Sequence, residues 1–171
     1  MCGEAGDGKR CSERNSHDSH HQSDPSDARI IEQDERILLV RSVLPGRYDF
    51  WVAPGGGVEG EETIEQAAAR EVREESGLEV RVKKLAYVEE LLGVGVRYCK
   101  FWFTAEAVGG TLSCTATEAQ QEHITKAAWL SRTELEGKVV FPTVLGGRYW
   151  SDRENGFESL VHLGLRRMEF T

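Results

Sequence analysis

The first 27 residues contain no Val, Ile, Leu, Phe, Trp or Tyr and are dense in Ser, His, Asp and Gly. Such a stretch buries too little apolar area to offset the entropy of ordering it, which predicts a disordered polar tail over residues 1–27. From Ile30 the pattern changes. Ile30-Ile31 and Ile37-Leu38-Leu39-Val40 read as two short strands around the polar turn Gln33-Asp34-Glu35. Leu44-Pro45-Gly46-Arg47 reads as a turn, Phe50-Trp51-Val52 as a further apolar run, and Pro54-Gly55-Gly56-Gly57 as a break before a helix. Thr63 with Gln66 makes a capping-box pattern, Gly77 a left-handed stop, and Ile64, Ala67, Ala68 and Val72 an apolar stripe between them. Two long strands are expected at Val80 to Leu92 and Val96 to Val108, then a turn at Gly109-Gly110 and a polar loop over 113–122. Ile124 to Leu130 reads as a strand, and Ser131 with Glu134 as the start of a short capped helix. Phe157 to Phe170 fits a helix or a final strand equally well.

At 171 residues the chain matches one domain by size, with residues 28–171 forming it. The net charge of -8 argues against a protein that grips nucleic-acid backbone, which needs a basic surface. It leaves room for a small phosphorylated substrate, because a divalent ion supplies positive charge locally. No run of about 18 apolar residues is present to span a membrane, and the polar start lacks the apolar stretch of a secretory signal. Cys2, Cys11, Cys99 and Cys114 show no metal-like spacing, and Cys99 sits in an apolar strand pattern as a small core residue. Together these predict a reducing, cytoplasmic setting. His17, His20 and His21 are read as solvated tail residues, since nothing packed would orient them on a metal.

The chemistry concentrates between Gly56 and Leu78. Glu71, Glu74 and Glu75 stand at i, i+3 and i+4, so a helix carries all three carboxylates on one face. Clustered like charges cost energy unless a cation sits among them, and oxygen-only ligands select a hard ion, Mg²⁺ or Mn²⁺. Arg70 lies four residues before Glu74 and is placed to brace it, while Gly56-Gly57 permits close backbone approach to a metal or phosphate. Carboxylates, metal and a Gly-rich loop together suit phosphoryl chemistry. A merely solvated helix face would instead scatter its charges as opposite-sign pairs.

The segment matches the Nudix signature GX5EX7REUXEEXGU at every defined position, with Val72 and Leu78 as its aliphatic sites. The lead-in Phe50-Trp51-Val52-Ala53-Pro54-Gly55-Gly56 and the later Ala127-Ala128-Trp129-Leu130 with Glu134-Leu135 also resemble that family. The resemblance covers most of residues 30–136. It implies an α+β fold, an α-β-α sandwich in which a mixed β-sheet packs between helices. It also implies Mg²⁺ or Mn²⁺ held by Glu71, Glu74, Glu75 and the carbonyl of Gly56, with Glu62 and Arg70 in support. The implied reaction is attack by metal-activated water on a nucleoside diphosphate linked to another moiety. Glu75 or a distal glutamate, Glu122 rather than Glu118, would handle the proton.

Substrate markers are sparse. No proline lies between Leu78 and Pro142, which disfavours the ADP-ribose-cleaving pattern, and Tyr87 and Tyr98 fit the dinucleoside-polyphosphate pattern poorly. Nucleoside triphosphates stay open. Trp51 and Trp102 are expected in the core, and Arg41, Arg47 and Arg97 fit surface positions as well as phosphate contacts. A non-catalytic nucleotide sensor is the main alternative, although such members usually lose box glutamates and none is lost here. An RNA-directed member would need a basic surface, and an isomerase further catalytic residues. The expected partner is a small nucleotide, and dimers are common in the family.

Overall fold

Asp34 and Glu35 both take positive φ, 50° and 59°, the two-residue turn that matches strand twist in a hairpin. They join β1 (Pro25–Gln33) to β2 (Arg36–Leu44) in a computed structural model that describes residues 25–168. The order continues with β3 (Tyr48–Val52), α1 (Ile64–Ser76), β4 (Leu78–Leu92) and β5 (Arg97–Gly110). It closes with α2 (Thr117–Gln121), β6 (Ile124–Ser131), β7 (Val140–Phe141), α3 (Arg148–Glu154) and β8 (Val161–Arg167), with short 3₁₀ turns flanking β7.

The strands form one mixed sheet in the order β7-β3-β2-β1-β5-β4-β8, with β6 paired to β2. β1 and β2 pair only next to their turn, after which β1 runs parallel to β5 and β2 runs between β3 and β6. The edge of β1 that β2 leaves open is filled by the Gly-rich loop. Asp27 N–H donates to the carbonyl of Gly56 at 2.9 Å and Arg29 N–H to that of Pro54 at 2.8 Å. A Cβ at Gly55 would lie 2.2 Å from the Asp27 carbonyl, so only glycine permits this approach.

Strand alternation sends successive residues to two separate cores. Ile30, Ile37 and Leu39 pack with Tyr149 and Trp150 of α3, whereas Ile31 and Leu38 pack with Val72 of α1. The sheet thus lies between helices, as expected. The capping box at Thr63 and Gln66 is present, and Gly77 takes φ 72° as the helix stop. Trp51 and Trp102 are buried, Cys99 is half-buried, and Ser131 bonds Glu134 at the start of a 3₁₀ turn.

Three expectations change. β1 begins at Pro25, so residues 25–27 belong to the sheet; backbone pairing, not apolar side chains, places them there, and Asp27 has no exposed surface. Residues 1–24, with the histidines and Cys2 and Cys11, lie outside the described residues. Gly109 and Gly110 are not a turn but the end of β5, paired with Glu79 and Leu78. The loop expected at 113–122 contains α2, anchored by the buried Ala119. Of the two readings left open for the C-terminus, the strand is found: β8 pairs in parallel with β4. No helix of the described residues is long and apolar enough to cross a membrane.

Candidate active site

Helix α1 turns Glu71 and Glu75 toward the sheet beside Ala68 and Val72, and both carboxylates are buried. Glu122, at the end of α2, meets them across the loop. One oxygen from each of Glu71, Glu75 and Glu122 lies within 4.8 Å of the others. The buried Ser42 hydroxyl helps fix that meeting by donating to the Glu122 carbonyl at 2.9 Å. Glu118 stays on the exposed first turn of α2 and does not join the group. Glu74 also stands outside it, accepting from Arg70 at 3.0 Å.

Arg70 is the hub of the cluster's charge balance. Its guanidinium donates to both oxygens of Glu62 (3.2 and 2.7 Å), to Glu71 and Glu74 (3.0 Å each), and to the carbonyl of Gly57 (3.0 Å). The Glu62 hydrogen bonds above all hold Arg70 above its ordinary range and Glu62 below its own. Burial nevertheless pushes Glu71 up to about 7 against the pull of Arg70. Glu75 is raised well above the ordinary range by burial first, then by the charges of Glu122 and Glu71. Gly55 N–H donates to Oε2 of Glu75 at 3.2 Å, which leaves Oε1 uncommitted to that bond.

Gly56 lies against the cluster: a Cβ there would come within 2.3 Å of Oε1 of Glu71. Its carbonyl already accepts from Asp27, with a second lone pair remaining. An all-oxygen donor set, two buried carboxylates raised first by desolvation and then by neighbouring charge, and a backbone pressed close by glycine together fit a hard divalent ion.

Two charged residues at this site were missed from the sequence. Lys100 on β5 interacts electrostatically with Glu75, Asp27, Glu122 and Glu71, while desolvation draws its ammonium below the ordinary lysine range. A lone charge inside the apolar run Cys99 to Phe103 was the available signal. Asp27 is fully buried and neither of its carboxylate oxygens has a hydrogen-bond partner. Desolvation raises it to about 6, against the pull of Arg29, Lys100 and Arg70 and with a push from Glu62. Arg29, lowered to about 10 by desolvation, donates to the carbonyls of Ile64 and Glu65 and stacks on Phe103 at 4.3 Å. Arg41 and Arg97, by contrast, pair with Asp49 and Glu90, and Arg47 is exposed.

A carboxyl whose folded-state pKa lies above its unfolded value costs stability once it ionises. The cost from Asp27 is absent below about pH 4 and grows as pH rises to about 6. Asp27→Asn is therefore expected to stabilise the metal-free chain at pH 8 by about 2–3 kcal/mol. Urea melts at several pH values check this, and the gain should shrink between pH 6 and 4.

The comparisons with known proteins fit this geometry. The NUDIX domain family matches residues 25–150, which include every residue of the glutamate cluster. The chain belongs to the Nudix family. The 8-oxo-dGDP phosphatase NUDT18 of Homo sapiens is 40% identical over 106 residues, 62% of this chain and 31% of that protein. The diphosphoinositol polyphosphate phosphohydrolase 2 of Rattus norvegicus is 48% identical over 60 residues, 34% of this chain and 32% of its own length. Among solved structures, a Nudix hydrolase from Nitrosomonas europaea superposes with a TM-score of 0.65 at 26% identity, covering 79% of this chain and 90% of that one. The chain spans about a third of the length of the curated relatives it matches. These Nudix relatives carry different substrates in their names, so the substrate has to be argued from this chain's own cleft.

Proposed function

We propose that the chain hydrolyses a diphosphate linkage in a nucleotide, with a divalent cation held by Glu71, Glu75 and Glu122. The observation that carries this reading is the convergence of those three carboxylates within 4.8 Å beneath a glycine-lined loop. The Gly56 carbonyl, on a residue pressed against Glu71, adds a backbone oxygen to the donor set, while Glu74 is held outside it by Arg70. Mg²⁺ or Mn²⁺ bound there supplies charge neutralisation for phosphate oxygens and acidifies a coordinated water. Arg70 holds Glu71 and Glu74 in place, Lys100 meets phosphate oxygens, and the Glu75 carboxylate receives the proton of the attacking water.

Lys100 also lines a cleft of about 250 Å³ walled by Phe50, Val52, Trp102 and Phe141. That volume suits a flat base and not a whole nucleotide, with the phosphates left on the glutamate side. Nucleoside di- and triphosphates fit this division better than a non-nucleotide polyphosphate, which has no use for aromatic walls.

The test is a panel of nucleoside di- and triphosphates, 8-oxo forms, ADP-ribose, dinucleoside polyphosphates and diphosphoinositol polyphosphates, assayed with Mg²⁺ and with EDTA. Release of nucleoside monophosphate is expected with Mg²⁺, falling at least about 100-fold with EDTA. Tight nucleotide binding without turnover of any compound would favour a sensor and overturn the reading.

A further inference from the structure

The aromatic cleft ends on a charged pair that hydrolysis itself does not use. Glu89 on β4 has a side chain only 4% exposed and accepts from Nε of Arg166 at 2.7 Å and from its Nη2 at 3.4 Å. It also accepts from the indole N–H of Trp102 at 3.3 Å. The guanidinium of Arg166 lies 4.4 Å from the centre of the Phe141 ring. These contacts occupy the Nε side of the fork and one of its faces. Its end-on edge, Nη1 with the second proton of Nη2, has no acceptor among the described residues, although Arg166 lines the cleft. Arg166 sits on β8, beyond the residues 25–150 that the family matches.

Resting on the nucleotide reading above, the geometry points to Arg166 as the residue that selects the base, favouring a 6-oxopurine over adenine. That end-on edge offers two parallel N–H donors and no acceptor. Guanine and hypoxanthine present O6 and N7, two adjacent acceptors that match it, whereas adenine puts an amino donor in place of O6. Pyrimidines offer one acceptor at most along the corresponding edge. Glu89 and Phe141 hold the fork against rotation, so it cannot turn aside to accommodate an amino group. Lys100 fixes the direction of the ligand: it lies between the cleft and the glutamates, which sets phosphates at Lys100 and the base edge at Arg166.

The experiment measures binding of GMP, IMP and AMP by tryptophan fluorescence, together with KM and kcat for GDP, IDP and ADP in Mg²⁺. The wild type is expected to bind GMP and IMP alike and AMP about tenfold or more weaker. Arg166→Lys keeps a cation for Glu89 but loses the fork, and it should bring GMP and IMP down to the AMP level. KM for GDP should rise while kcat stays near wild type. Arg166→Met with Glu89→Gln removes both charges at once and should give the same levelling, which guards against a folding defect in the single variant. Equal binding of GMP and AMP by the wild type overturns the inference, as does a preference that survives in both variants. Preference for GMP with IMP bound like AMP overturns it too, because the 2-amino group would then be what is read. Hydrolysis of all bases at equal efficiency removes the selection and leaves the hydrolase reading standing. Hydrolysis of none, with the base preference intact, removes the hydrolase reading alone.

Discussion

Replacing Glu75 with Gln is expected to lower kcat by about 10²–10⁴-fold, the range for losing a positioned proton acceptor. The same change should raise the thermal stability of the metal-free chain. The two effects share one cause. Glu75 is buried beside Glu71 and Glu122, and its ionised form is held there against desolvation and like charge. Gln keeps the shape and an acceptor for Gly55 N–H, removes the charge, and so relieves the cost while discarding the function. Kinetics in Mg²⁺ alongside melting curves in EDTA separate the two readouts. Turnover at the wild-type rate would place the chemistry elsewhere than this cluster. A loss of both activity and stability would mean that Glu75 is structural.

Arg70→Ala is expected to destabilise the fold by about 2–4 kcal/mol, because it strands several carboxylates at once. Glu71 would lose its hydrogen-bonded counter-charge while still buried, Glu62 would lose a two-point contact, and the Gly57 carbonyl would lose its donor. The loop and helix would then no longer share a brace, so Mg²⁺ affinity and kcat should fall together. Arg70→Lys retains the charge but only one compact donor group, and it should recover stability only in part. Urea denaturation and Mg²⁺ titration of the three proteins check the ranking. Near-wild-type behaviour of Arg70→Lys would show that charge alone, and not the planar fork, organises the loop.

The helix and its acids were legible in the sequence because local spacing determines them. Thr63 with Gln66, Gly77 and the positions of Glu71, Glu74 and Glu75 all refer to one helical repeat. Spacing could not show which of the three face the sheet; Glu74 turns to Arg70, and Glu71 and Glu75 turn inward to Glu122. Helix α2, at five residues, is too short to show a period, so Glu122 was placed by its loop and not by its helix. β8 lies at the end of the sheet with mixed burial along its length, which blurs the alternation that marks a strand. Asp27, Lys100, Glu89 and Arg166 escaped for a common reason. Each is a polar residue inside a strand, and its role depends on partners far along the chain.

The parallel pairing of β1 with β5 joins residues 25–32 to residues 99–106. Closing so long a stretch of chain costs entropy before any contact repays it, so pairings of this kind are slow to form. The capped helix needs only its neighbours and a nearby strand. Glu71, Glu74 and Glu75 thus belong to a locally determined element, whereas Lys100 reaches Asp27 only through the long-range pairing of β1 with β5. On the ribosome, a chain halted before β5 emerges would carry the whole Nudix box and no working site.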